Sequence, residues 1–289
     1  MTGHRKHLQK AFYILAVAVF LVWTLGPIAW SFSISITPQK DTMISPAPFL
    51  PENPTTGNYS QLIFGSSKEG GNVAEGRMFK IGLINSLKAC LLVILVGIPV
   101  SVFAAYALAR LRFRGKEVVR YLLLATMAFP LFSTIVPLYK IFSDFKLIDN
   151  YWSLILVYIS SFLPLTVWLL SNHFESIPSE LDEAAAIDSC NSLQTLIYIH
   201  LPISYPVIFA GALIMFISTW NQYLIPLIIA PSLSTKPIAV IISEFVTKTS
   251  INYGLMNAGG LLAIIPPVII ALVFRRFLIY GLTSGATKG

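Results

Sequence analysis

Residues 177–202, IPSELDEAAAIDSCNSLQTLIYIHLP, are the only long polar interruption in the second half of a sequence that otherwise reads as membrane. Pro178 and Ser179, with Asp182 three residues on, spell a capping box in which Ser179 accepts from the backbone and the acid reaches back. The pattern predicts a helix from Glu180 to about Asp188, with Leu181, Ala184 and Ala185 on one face. Asn191 and Ser192 offer a second cap, and Leu193, Leu196, Ile197 and His200 line a second stripe before Pro202. The reading is helix, tight turn, helix, then another membrane span. Alanines stand where the apolar face of a surface helix would carry bulk, so a partner can approach that face closely.

The stretch is acidic. Glu175, Glu180, Asp182, Glu183 and Asp188 fall in or beside it, and no Lys or Arg lies between Leu169 and Leu213. Acidic residues contribute little to membrane orientation, so its side must come from counting spans. The chain has 289 residues, 55% hydrophobic and only 11% charged, which is far more apolar than a soluble domain and marks an integral membrane protein. A formal charge of +7 reads here as membrane topology and not as nucleic-acid binding. Cys90 falls in a span and Cys190 in a polar loop, so no disulfide framework exists, and neither has the neighbours a metal site needs.

In order, Arg5, Lys6 and Lys10 precede an apolar run over 11–34, longer than the ~7–15 residue core of a signal peptide and read as a retained first span. Residues 35–80 form a polar outer loop, in which Pro38, Pro46, Pro48, Pro51 and Pro54 predict an extended strap. The glycine-rich part, 65–76, predicts disorder or a partner contact. The second span is 81–109, ending on Arg110, Arg112, Arg114, Lys116 and Arg120, the densest positive cluster and hence cytoplasmic. The third is 118–142, with Pro130 and Pro137 as kinks; 143–150 turns outside, and 151–170 returns with Tyr151, Trp152 and Tyr158 as interfacial anchors. The acidic stretch therefore lands inside. The fifth span is 205–230, an external loop covers 231–253, and the sixth span, 254–274, stops at Arg275 and Arg276. Six spans with both termini in the cytoplasm result, and more than half of the 20 Lys and Arg lie in the three short segments this places inside.

Several chemistries are excluded. Gly115 and Lys116 are followed by Glu117, which breaks a phosphate loop, and His173 and His200 stand apart from any H-E-x-x-H pattern. Serine nucleophile elbows are absent. The thirteen Asp and Glu fall in loops or at span ends, which removes the mid-membrane acid of an ion-coupled carrier. Lys88 and Lys140 lie near outer ends, where they can snorkel. No catalytic or metal-binding residue emerges, and the chain reads as a passive pathway that needs an external motor.

Glu183, Ala184 and Ala185, three residues, Ser189, nine residues, Ile199, one residue, Leu201 and Pro202 resemble the EAA motif of importer-type ABC transporter permeases, EAA-x3-G-x9-I-x-L-P. The spacing matches at every step, and Ser189 stands where the family has glycine. Tyr106, Ala107, Leu108, Ala109 and Arg110, then Phe113, Arg114, Gly115 and Lys116, resemble the stretch after the second span of carbohydrate permeases. Trp220, Asn221 and Pro226 look like their fifth span. Gly281, Leu282, Thr283, Gly285, Lys288 and Gly289 look like their tail. The resemblance is closest to the smaller permease subunit of maltose-type sugar importers.

The resemblance implies an all-α integral membrane protein with six transmembrane helices in the type I ABC importer permease fold. It divides the chain into 1–80, a first span with its outer loop; 81–275, a core with a coupling loop at about 172–204; and 276–289, a cytoplasmic tail that contacts the ATPase. It implies that Glu183, Ala184, Ala185, Asp188, Ser189, Ile199, Leu201 and Pro202 form a coupling helix docked into a cytoplasmic ATPase subunit. The implied partners are a homologous second permease, two ATPase subunits that bind ATP and Mg, an extracytoplasmic solute-binding protein, membrane lipid and a carbohydrate substrate, with no cofactor in this chain. The implied location is a bacterial inner (cell) membrane. If the turn needs positive φ at Ser189, serine costs about 1 kcal/mol relative to glycine. Asn85, Ser86, Asn221, Gln222 and Tyr223 are polar groups within spans and are candidates for the translocation path, with helix-packing hydrogen bonds as the other reading. A polyol, a sugar phosphate or another solute is the alternative cargo, and an ion-coupled carrier the alternative mechanism.

Overall fold

The computed structural model describes residues 2–42, 49–65, 73–129, 131–246 and 252–283. Its helices are α1 (Thr2–Ser35), α2 (Gly57–Phe64), α3 (Val73–Arg110), α4 (Lys116–Ala128), α5 (Leu131–Asp144), α6 (Tyr151–Ser176), α7 (Glu180–Ile187), α8 (Ser192–Thr195), α9 (Leu201–Trp220), α10 (Leu224–Ile229), α11 (Ile238–Glu244) and α12 (Tyr253–Thr283). Among the described residues, five stretches are long and apolar enough to cross a membrane: Gln9–Ser35, Val73–Arg110, Tyr151–Ser176, Ser192–Trp220 and Tyr253–Arg275. A sixth crossing results if α4 and α5 count together, but these are bent by 103°, so the third expected span is divided between two helices. Pro137 lies within α5, while Pro130 lies outside the described residues.

The chain divides into two compact units. One comprises Met1–Lys80 and Ile241–Ile264, the other Ile81–Val240 and Ile265–Gly289. In the first, the strap expected over 35–80 contains a helix instead. Asn58 in α2 donates to the Ser35 carbonyl at 2.8 Å, and Tyr59 and Ser35 hydroxyls meet at 2.6 Å. The Asn58 bond satisfies a backbone carbonyl where α1 ends, which a proline count alone does not reveal. Pro46, Pro48 and positions 66–72 of the glycine-rich run lie outside the described residues. α3 begins at Val73, eight residues before the expected Ile81.

In the second unit α3, α6 and α9 pack on one another. One cluster joins Ala89 and Val93 of α3, Leu154, Ile155 and Tyr158 of α6, Met215 of α9 and Ile225 of α10. A second, at the other end of the same helices, joins Val102, Ala105, Tyr106 and Leu108 to Val167, Leu170, Phe174 and Ile177, with Leu196 and Val207. Gly211 of α9 is close enough to Thr166 of α6 that an added Cβ would lie 3.1 Å from its methyl group. Small residues at such crossings let apolar helices approach where no hydrophobic force drives them together.

Other limits differ from expectation as well. The fifth span begins at Ser192, because the second helix of the acidic stretch runs on into α9 without a break, and it ends at Trp220 rather than 230. α12 continues through Arg275 to Thr283, beyond the expected stop at 274, and the tail residues Gly285, Lys288 and Gly289 lie outside the described residues.

A candidate coupling site at the ends of α3, α6 and α9

α7 forms where the EAA residues predict it, but it starts differently. Ser179 has helical backbone angles and its side chain makes no capping bond. Asp182 does not reach back, because both its oxygens are committed elsewhere: Arg110 Nη1, from the last residue of α3, lies 3.2 Å from Oδ2, and His200 Nε2 lies 2.6 Å from Oδ1. The expected capping box is therefore replaced by a tertiary clamp. Arg110 also donates to the Ile177 carbonyl, which closes α6.

The helix ends in a Schellman turn. Ser189 N–H donates to the Ala186 carbonyl at 3.1 Å and Cys190 N–H to the Ala185 carbonyl at 2.9 Å, with Ser189 at φ +61° between them. The position at which the resembled EAA motif has glycine is thus a left-handed one in this chain. Lys146 occupies the same position after α5 at φ +56°, with Leu147 N–H bonded to the Phe142 carbonyl. Asn191 then caps α8 in the expected manner: its side chain accepts from Gln194 N–H at 2.9 Å and Gln194 Oε1 accepts from Asn191 N–H at 2.8 Å.

Between α8 and α9 the helix widens to a π-turn over Leu196–His200, with Leu201 N–H bonding the Leu196 carbonyl. Pro202, at the start of α9, has no N–H to give the carbonyl four residues back. Only half of the expected stripe is buried. Leu196 and His200 are fully buried with Thr195, while Leu193 and Ile197 are exposed. His200 sits against Tyr106 and Phe174 in edge-to-face contacts, with ring centroids 5.2 and 5.7 Å away.

The outward face of α7 differs from the expected alanine pair. Ala184 is exposed, but Ala185 is buried against its own chain. Glu183, Asp188 and Ser189 are exposed, Ile199 and Leu201 are half-buried, and Pro202 is exposed. The sequence reading passed over Ile187, which is 84% exposed at the end of α7. Its signal was present: a large aliphatic residue one turn after Glu183 in a polar loop.

The polar span residues are not gathered into one site. Asn85 donates to the Leu233 and Lys236 carbonyls at 3.1 and 3.0 Å, and Ser86 Oγ accepts from Ile238 N–H at 2.9 Å. Both therefore hold the segment after α10. Asn221 closes α9, and with Gln222 and Tyr223 it forms the break before α10, where Asn221 and Tyr223 are exposed. On the same side, Asp149 at φ +62° accepts from Ser232 N–H at 3.1 Å and from the Thr235 hydroxyl. Burial raises the Asp149 carboxyl, but the Thr235 and Ser232 hydrogen bonds and nearby Lys236 outweigh it and hold it below the usual range.

The family of binding-protein-dependent transport system inner membrane components matches residues 97–283. The chain is 31% identical to the trehalose transport system permease protein SugB of Mycobacterium tuberculosis, over 97% of this chain and 99% of that one. It is 29% identical to the trehalose/maltose transport system permease protein MalG of Thermococcus litoralis, over 98% of each. It is also 29% identical to the sulfoquinovosyl glycerol transport system permease protein SmoH of Agrobacterium fabrum, over 97% of this chain and 94% of that one. A chain in the crystal structure of a bacterial ABC transporter that imports the acidic polysaccharide alginate has the same fold, with a TM-score of 0.77 at 22% identity over 96% of this chain and 98% of that one.

Proposed function

We infer the function from one premise: the chain belongs to the family of binding-protein-dependent transport system inner membrane components. It is a multi-pass permease subunit of an ABC importer and not an enzyme. It works with other transporter components. The cargo we propose is a carbohydrate, supported by the sugar-uptake names of relatives that align over nearly the whole chain.

We further propose that α7 is the coupling helix. The observation that carries this is a short helix with Glu183, Ala184, Ile187 and Asp188 outward, fixed to the ends of α3 and α9 through Asp182. Ile187 supplies an apolar anchor and Ala184 permits close approach, so the pair fits a cleft with a basic wall for Glu183. The partners assigned are a homologous permease that completes the pathway, two ATPase subunits that hold ATP and Mg, and an extracytoplasmic binding protein. The positive cluster after α3 supports a cytoplasmic position for this face and for both termini, in a bacterial inner membrane.

Uptake by vesicles containing the complete transporter tests the reading. With the binding protein outside and ATP inside, labelled trehalose and maltose are expected to compete with, or serve as, the cargo. Uptake driven by a proton gradient without ATP would instead establish an ion-coupled carrier.

A further inference from the structure

We propose that Asp182 is a positioning residue that makes α7 and the ends of α3 and α9 move as one body, and that Arg110 and His200 are its two anchors. The inference rests on the coupling-helix reading and adds to it the part of this chain that receives the force.

The geometry singles Asp182 out. It lies in the first turn of α7, yet it turns away from the helix start, so Ser179 is left without a reciprocal cap. Each carboxylate oxygen serves a different element, Oδ2 the final residue of α3 and Oδ1 the π-turn that opens into α9. A carboxylate only accepts, so His200 Nε2 carries the hydrogen of that bond. Arg110 adds α6 through the Ile177 carbonyl. The Asp182 side chain therefore joins α7 to α3 and to the turn that opens into α9, and Arg110 extends the link to the end of α6.

The anchors are themselves fixed. His200 has no exposed surface and is held by Tyr106 of α3 and Phe174 of α6. Arg110 is only 13% exposed. His200 reaches Asp182 from the end of the π-turn. Such widened turns recur at functional sites. By contrast, Glu183 and Asp188 are exposed, so the acids of α7 divide into one that faces this chain and others free for a partner.

A rigid link is also what the task requires. Force delivered to an eight-residue helix reaches the spans only if that helix does not slide. Buried Ala185 supplies close packing beneath α7 but no direction, whereas the two contacts of the Asp182 carboxylate fix both position and orientation.

The test uses the complete transporter, with Cys90 and Cys190 replaced and spin labels at exposed Glu180 on α7 and Phe103 on α3. The wild-type distance distribution is expected to be narrow and the same in the resting and the ATP–vanadate-trapped complex. Asp182→Asn is expected to broaden it and let it shift on trapping, while the ATPase still co-purifies in full. Arg110→Gln is expected to do the same in part, and carries the test if Asp182→Asn lowers the yield. An unchanged distribution in both variants would overturn the proposal, because a residue that only adds stability changes yield and leaves the distance alone. Loss of the ATPase from Asp182→Asn would also overturn it by making Asp182 a docking residue. Failure of the coupling-helix reading is a separate result, seen as ATPase retention that does not depend on Glu183.

Discussion

Cys190 N–H bonds the Ala185 carbonyl at 2.9 Å, and that six-residue closure obliges the residue between them, Ser189, to adopt φ +61°. A side chain there meets the steric cost that glycine escapes. Ser189→Gly is expected to stabilise the chain by up to about 1 kcal/mol, offset in part by the greater freedom of glycine in the unfolded chain. Ser189→Val is expected to destabilise it, since a β-branched side chain tolerates this region least. Thermal unfolding in detergent reads both.

Ile187 separates docking from folding. It is 84% exposed, so Ile187→Asp is expected to change the stability of the chain by no more than about 0.5 kcal/mol. Co-purified ATPase is nevertheless expected to fall sharply, as for the loss of an apolar anchor at an interface centre. A normal amount of ATPase with the variant would remove Ile187 from the docking face.

Asp149 makes stability depend on acidity. Its folded carboxyl lies below the ordinary value of 3.8, so its contribution is present above that pH and is lost as pH falls through the lower folded value. The difference in stability between wild type and Asp149→Asn is therefore expected to be constant near neutrality and to shrink below about pH 4. Urea unfolding at a series of pH values checks the sign.

Gly76 and Gly26 form an internal control. A Cβ on Gly76 would lie 2.3 Å from the Gln61 carbonyl oxygen and 3.1 Å from Gly65 Cα, whereas a Cβ on Gly26 would meet nothing within 4 Å. Gly76→Ala is expected to cost about 1–3 kcal/mol or more through forced backbone separation of α2 and α3. Gly26→Ala is expected to be neutral or slightly stabilising, because alanine favours helix. Equal effects in thermal unfolding would contradict the close packing of α2 against α3.

The sequence made α7, the turn at Ser189 and the cap at Asn191 legible because each rests on residues a few positions apart. Helix propensity, a left-handed position and a capping box are local. What it left hidden was set by distant partners. Asp182 spells a capping acid by spacing, and only the fold brings Arg110, seventy-two positions away, close enough to claim it. Leu196 and His200 are buried as the 3.6-residue period anticipates, but the same period does not show that Leu193 and Ile197 of that stripe stay exposed. Asn85 and Ser86 announce buried hydrogen bonding in a span, but not that their partners are Leu233, Lys236 and Ile238. The helix at Gly57–Phe64 was masked by the prolines around it.

The most direct measurement is purification of the tagged chain from native membranes in mild detergent, comparing wild type with Glu183→Lys and identifying the co-purifying subunits by mass spectrometry. Wild type is expected to bring an ATPase and a second permease, and Glu183→Lys to keep the permease and lose the ATPase. ATPase retained in full by Glu183→Lys, or wild type that purifies alone and supports uptake by itself, would contradict the coupling-helix account.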